Sequence, residues 1–287
     1  MSTPTHRSPV GGAPADEEMT YVYAVGSDGP ALDRSAARLS GVGGRPLRLV
    51  SADGLCALVS SVPAEAFSER GLTAQMEDLV QLEAIARAHH SVVDAAFAEA
   101  TVLPMRLATV YLDDARAADM LARRHDAFED LLNRLEGHVE LGLKVYADPR
   151  AATAQAPAEQ PDAAAGTDSC AGAGRAYLRQ RRAQQHGGRA AYRAASDTAA
   201  LAAELASRVA VSRAVHRPQQ GQLASHPGVN VANEAYLVSR AHVGVLREQL
   251  PVLAEGSPGV TVEVTGPWAP YSFATEAALG PEGGEEP

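Results

Sequence analysis

The chain has 287 residues, is 46% apolar and 21% charged, and carries a formal net charge of −10. That composition fits one large or two small globular domains, and the acidic balance argues against a general nucleic-acid binder. No window approaches the roughly 18–20 apolar residues of a spanning helix, and the N-terminus lacks an apolar signal core.

Residues 1–18 are rich in Pro, Gly and Ala and are expected to be a disordered tail. Tyr21–Val25 is a short strand stopped by Gly26. Pro46–Ser51 and Leu55–Ser60 are strands joined at Ala52-Asp53-Gly54, a hairpin signal because glycine takes positive φ freely. A long helix is expected over Thr73–Ala100, with Leu79, Leu82, Ile85, Val92, Val93, Ala96 and Phe97 on one face. Val102–Tyr111 reads as an extended link. Asp113 and Asp114 cap a second helix, whose apolar face is Leu121, Phe128, Leu131, Leu132 and Leu135 and which Gly137 ends. Val139, Leu141, Leu143 and Val145 alternate with polar or small residues in a final strand of this first part. Strands with two helices suggest an open α+β sandwich.

Asp148–Ala173 is without period and reads as a linker or surface insertion. Gly174–Arg217 reads as helical, with a break at Gly187-Gly188, and holds nine arginines against Asp197 and Glu204. A strand (Asn233–Ser239), a helix (Ala241–Leu253) and a strand (Val260–Thr265) follow. Pro267 and Pro270 then predict a stiff extended segment carrying Trp268, Tyr271 and Phe273. Residues 276–287 are an acidic tail expected to be disordered.

The candidate site residues each have a bland reading. His89 sits in the apolar face of the long helix and reads as a structural histidine; ligand or base is its rival. Arg106, in an apolar segment, reads as structural, paired with a carboxylate or capping a helix C-terminus. Gly41-Val-Gly-Gly44 lacks the Lys-Ser/Thr pair of a phosphate loop and reads as a turn. Cys56 and Cys170 lack CxxC spacing and fit a reducing compartment. Arg175, Arg179, Arg182, His186, Arg189 and Arg193 recur at intervals of three and four. On an unbroken helix they form a basic ridge, which is either a solvated face or a docking surface. Trp268, Tyr271 and Phe273 either seal a core or offer an apolar contact.

Seven segments, in order along nearly the whole chain, carry a resemblance. They are Tyr21-Val-Tyr-Ala-Val-Gly26, His89-His-Ser-Val-Val-Asp-Ala-Ala-Phe97, Thr101-Val-Leu-Pro-Met-Arg-Leu-Ala-Thr-Val-Tyr111, Gly142-Leu-Lys-Val-Tyr146, Gly174-Arg-Ala-Tyr-Leu-Arg-Gln-Arg-Arg182, Asn233-Glu-Ala-Tyr-Leu-Val238 and Thr265-Gly-Pro-Trp-Ala-Pro-Tyr-Ser-Phe273. This ordered set resembles the gas vesicle protein GvpL/GvpF family. The family usually has Phe-Gly where this chain has Leu107-Ala108.

The resemblance implies an α+β protein of two domains: a modified ferredoxin-like antiparallel sheet with helices on one face over residues 19–147, and a smaller α+β unit with long helices over 174–275, joined by a 148–173 linker. It implies a cytoplasmic, gas-vesicle-associated accessory or minor structural protein that binds the hydrophobic major shell protein, with other accessory proteins as further partners. It implies no catalytic residues, cofactor, metal or membrane. Partner contacts would fall on Arg175, Arg179, Arg182, Arg193, Trp268, Tyr271 and Phe273. Two other readings stay open: a small-molecule enzyme on a ferredoxin-like scaffold, and nucleic-acid binding through the arginine ridge.

Overall fold

The computed structural model describes residues 17–155, 169–218 and 228–278. The expected terminal tails, apart from Glu17 and Glu18 and residues 276–278, and residues 156–168 of the expected linker lie outside the described residues. The chain divides into two compact units, one formed by residues up to Arg134 with Ala274 onward, the other by Leu135–Phe273.

The first unit begins with β1 (Glu18–Ser27), α1 (Pro30–Arg38), β2 (Leu47–Ala52) and β3 (Leu55–Pro63). Short α2 (Ala64–Phe67) and α3 (Glu69–Glu77) lead into α4 (Leu79–Glu99). Two short strands follow, β4 (Val102–Pro104) and β5 (Val110–Tyr111), then α5 (Asp114–Arg123) and α6 (His125–Leu135). The antiparallel sheet runs β2-β3-β1-β4, with β5 also on β1. With α1 and α4 as crossovers this is the split β-α-β-β-α-β arrangement of ferredoxin-like folds. β2 and β3 meet at Asp53 (φ 51) and Gly54 (φ 84), the paired positive φ that an Asp-Gly hairpin turn supplies. β1 is buried from Thr20 to Gly26. Tyr21 points to His89 of α4, while Thr20 bonds Asp114 at the start of α5. The sheet is therefore covered on both sides, beyond the single helical layer expected.

The second unit holds β6 (His138–Ala147), α7 (Pro149–Gln155), α8 (Ser169–Ser207), β7 (Ala210–Val215), β8 (Val229–Ser239), α9 (Val243–Val252), β9 (Val260–Trp268) and α10 (Tyr271–Ala278), whose last residues belong to the first unit. Its antiparallel sheet runs β7-β8-β6-β9. With α8 and α9 as crossovers the connectivity is again β-α-β-β-α-β, so the two sheets share one winding. Val139, Leu141, Leu143 and Val145 on β6 are buried, and β6 pairs with both β8 and β9.

Several expectations need correction. The strand assigned to the first sheet, His138–Ala147, is a central strand of the second, because alternation fixes a strand but not its neighbours. The single helix over 73–100 is two, since Asp78 caps α4 by accepting from the amides of Val80 (3.0 Å) and Gln81 (3.2 Å). Leu79, read as apolar face, consequently sits in an exposed first turn, 76% accessible. The second helix likewise divides at Arg124 into α5 and α6. Pro149–Gln155, read as linker, is helix α7, capped by Asp148. Gly187-Gly188 does not break α8. α7 packs on α8 there, and a Cβ on Gly187 would stand 3.2 Å from Thr153 Oγ1, so the pair makes room for a helix crossing. Helix also ends earlier than Arg217, at Ser207, and Ala210–Val215 is an edge strand.

Candidate functional site

The interior of the first unit holds a directional chain of hydrogen bonds. Ala108 N–H donates to Tyr21 Oη (3.0 Å), Tyr21 O–H donates to His89 Nδ1 (3.0 Å), and His89 Nε2–H donates to the Met105 carbonyl (3.1 Å). These directions fix the neutral Nε2–H tautomer. Burial pushes the His89 pKa down to about 4, only partly opposed by the bond to Met105. With both ring nitrogens engaged, no lone pair faces a metal or substrate. Tyr23 lies beside it, its hydroxyl 2.8 Å from Ser60 Oγ and accepting from Val42 N–H at 2.7 Å. The glycine-rich turn at 41–44 thus spends its central amide on Tyr23, not on a phosphate. Burial pushes the Cys56 thiol up to about 12, so it carries no thiolate at neutral pH.

Among the described residues no carboxylate pairs with Arg106. Its side chain is exposed and its carbonyl holds the following turn by accepting from Thr109 N–H and Oγ1–H. A carboxylate pairing of that kind falls instead to the half-buried Arg48, which holds Asp114 through Nε (2.8 Å) and Nη2 (2.5 Å), while Thr20 donates to the same carboxylate. The Arg48 guanidinium holds the Asp114 carboxyl below its usual range. Asp113, not Asp114, caps α5.

In the second unit Glu234 accepts both forks of Arg213, at 3.0 and 2.5 Å, and the hydroxyl of Tyr236. Glu140 of β6 accepts from Ser272 N–H (2.7 Å) and Oγ–H (2.8 Å), and His216 Nε2 lies 3.0 Å from Ser272 Oγ. The serine proton therefore goes to Glu140, so His216 is no general base for it. The contact caps α10 and is architectural.

The aromatic segment is not extended throughout. The Gly266-Pro267 peptide is cis, Gly266 has φ 102, and helix α10 starts at Tyr271. Phe273 is 4% exposed and Trp268 40%. Phe273 is therefore core, which removes it as a contact residue; Tyr271 is half-buried. Arg193 and Arg189 are exposed on α8. Arg175, Arg179 and Arg182 lie on the same helix, but their side chains fall outside the described residues, as does that of His186.

An apolar groove lies where the sequence reading placed none. α2, α3, the start of α4 and the turn at 42–44 enclose a groove of about 420 Å³. Its wall includes Val42, Val62, Phe67, Ala84 and Ile85, and it continues along α3 as a shallower depression of about 690 Å³. Leu79 and Val80, 76% and 77% exposed, lie on the first turn of α4, and Val80 lines a neighbouring depression that shares Ala84 with the groove. Concave apolar surface of this kind is a contact signature. Sequence periodicity hid the exposure of Leu79 by assigning it to the core; the Asp78 cap was the available signal.

The family model described as gas vesicle synthesis protein GvpL/GvpF matches residues 19–275. "Gas vesicle protein L" of a Streptomyces species is 44% identical over 261 residues, 90% of this chain and 93% of that protein. "Gas vesicle protein L2" of Halobacterium salinarum is 27% identical over 266 residues, 89% of this chain and 91% of that protein. The crystal structure of the gas vesicle protein GvpF from an Anabaena species superposes with TM-score 0.59 at 16% identity, covering 90% of this chain and 96% of that one. GvpF from Microcystis aeruginosa superposes with TM-score 0.56 at 17% identity, covering 89% and 98%. The fold is thus shared with both GvpF structures.

Proposed function

The chain belongs to the GvpL/GvpF family of gas vesicle proteins, and from that premise we propose that it binds the hydrophobic major shell protein and supports nucleation and assembly of the shell in the cytoplasm. One observation carries the reading: the groove over α2–α4 with its apolar wall of Val42, Val62, Phe67, Ala84 and Ile85. A subunit bound for a water-excluding wall exposes apolar surface before it is incorporated, and such surface self-associates in water. A preformed apolar groove on a folded protein covers that surface reversibly. The exposed ridge residues Arg189 and Arg193 lie on another element and suit contact with acidic accessory proteins of the assembly, where charge speeds encounter more than it tightens binding.

The test is co-expression with the shell protein and affinity capture of the complex. Ala84→Arg, at an exposed position of the groove wall, is predicted to abolish capture while leaving the unfolding free energy within the range of surface substitutions, about ±0.5 kcal/mol. Undiminished capture by this variant refutes the groove as the contact. Failure of the unaltered chain to keep the shell protein soluble or to retain it refutes the function.

A further inference from the structure

We propose that β7 is a docking edge for a second copy of the chain, two copies pairing their β7 strands antiparallel about a two-fold axis at Ala214. The inference goes beyond the groove, which belongs to the first unit, whereas β7 belongs to the second.

The open edge is the first argument. β7 ends the sheet β7-β8-β6-β9, so among the described residues no strand pairs with its outer side. His216 N–H donates to the Asn233 carbonyl of β8 at 2.8 Å. Alternation along an antiparallel ladder then turns the amides and carbonyls of Val215 and Arg213 away from β8. Val215 is 70% exposed. Such a row of donors and acceptors is a template for another strand unless the sequence blunts it. β9, at the opposite end of the sheet, carries Gly266 and Pro267, while β7 carries no glycine, proline or lysine. A bulge interrupts β7 between Ala210 and Ser212 and leaves Ser212–Val215 in regular register.

Charge is the second. An arginine within an edge strand ordinarily opposes pairing. The Arg213 guanidinium is instead drawn back over its own sheet. Buried Glu234 accepts from its Nε and Nη2 at 3.0 and 2.5 Å, and its Cζ lies over the Tyr236 ring, 6.0 Å from the centroid. The ion pair is locally neutral, so the charge no longer guards the edge.

Self-complementarity identifies the occupant. With Ala214 on the axis, Arg213 of one copy stands opposite Val215 of the other. Both turn their backbone groups outward, so each such pair exchanges both of its N–H···O=C bonds. The axial pair is alanine against alanine, of the non-hydrogen-bonded kind whose Cα atoms approach to about 4.5 Å, and two methyl groups fit that approach. A register centred on Arg213 would set like charges opposite each other and would need Val211, which sits at the bulge, as a pairing residue. A contact this short is a small interface, so its dissociation constant should be on the order of 100 μM.

The experiment uses the full chain. Sedimentation equilibrium should show the apparent mass rising from 29.9 kDa toward twice that value between about 10 μM and 1 mM. Val215→Pro removes an outward N–H and no bond to β8, and should weaken the association at least about tenfold with an unchanged circular-dichroism spectrum. Cross-linking in a Cys170→Ser background, with oxidised glutathione as oxidant, reads the register. Ala214→Cys lies on the axis, within the about 4.4–6.8 Å that a disulfide spans, and should join two copies. Ser212→Cys lies about 14 Å along the strand from its counterpart and should not. Ala84→Arg, on the groove wall, should leave the mass curve as it is. A monomer mass at about 1 mM, association untouched by Val215→Pro, no cross-link through Ala214→Cys, equal cross-linking through Ser212→Cys, or loss of association in Ala84→Arg overturns the proposal. Should Val215→Pro misfold, the two cysteine variants still decide. Association without capture of the shell protein refutes only the proposed function, and capture by a chain that stays monomeric removes only the docking edge.

Discussion

Protonation of His89 should control the acid stability of the first unit. The imidazole is 3% exposed, with Tyr21 Oη on one nitrogen and the Met105 carbonyl on the other. An added proton at Nδ1 would turn an acceptor into a donor facing the Tyr21 hydroxyl, in a site that cannot solvate the charge. The pKa falls from 6.5 to about 4. The sign follows from linkage: the folded state resists the proton, so the His89 contribution is complete above pH 6.5 and is lost as pH falls from 6.5 to 4. A shift of about 2.5 units corresponds to a loss on the order of 3 kcal/mol across that window, a large fraction of the ~5–15 kcal/mol stability of a typical domain. His89→Gln is uncharged at every pH and can keep a donor on the Met105 carbonyl. It should cost about 1–2 kcal/mol at pH 8 through the lost Tyr21 bond, and flatten the pH dependence between 6.5 and 4. Urea unfolding at a series of pH values, read by amide exchange of Tyr21–Val25, gives both numbers. Parallel pH curves for the unaltered chain and His89→Gln would refute the reasoning.

Three further predictions concern the backbone, two around this core and one on α8 of the second unit. Ala108 has φ 62, a left-handed conformation that presents its N–H to Tyr21; Ala108→Gly relieves the strain and should raise stability by ~0.5–1 kcal/mol after the added unfolded-state entropy is set against it, measured as a rise in the urea midpoint. A Cβ on Gly41 would stand 2.3 Å from Tyr23 Oη and 2.9 Å from Ser60 Oγ; Gly41→Ala should destabilise by ~2–4 kcal/mol by displacing the Tyr23 hydroxyl, and a change under ~1 kcal/mol would contradict the packing. Gly188→Ala meets Pro149 Cβ at an ordinary 3.6 Å; helix propensity should dominate and raise α8 stability by about 1 kcal/mol, read by thermal melting followed by circular dichroism.

What was readable in the residues was local. Alternation located β2, β3, β6, β8 and β9, and the hairpin at Asp53-Gly54 announced itself through a dipeptide suited to two positive φ values. Signals for the missed pieces were present but weak. Pro30 after Gly29 marks the first turn of α1, and Asp78 before an apolar run marks the start of α4. Val211, Arg213 and Val215 alternate through β7, but the surrounding arginine and alanine suggested a longer helix. The sheet to which β6 belongs could not be read, because its partners lie 82 or more residues further on and no local pattern encodes a distant pairing. The exposure of Leu79 and Val80 was hidden for a related reason: it depends on helix phase, and a single capping carboxylate reset it.

The position of β6 has a consequence for how the polypeptide is made. Its backbone edges find strand partners only when β8 and then β9, ending at Trp268, have been synthesised. At ~5–20 residues per second, the roughly 100 residues between leave that strand with both flanks unsatisfied for about 5–20 s at the ribosome. A fragment truncated after Ala147 would preserve that interval permanently, carrying a sticky ribbon at its end, whereas one ending near Arg134 would not. Where the gene is cut therefore decides whether the front half is a usable reagent or a seed for aggregation.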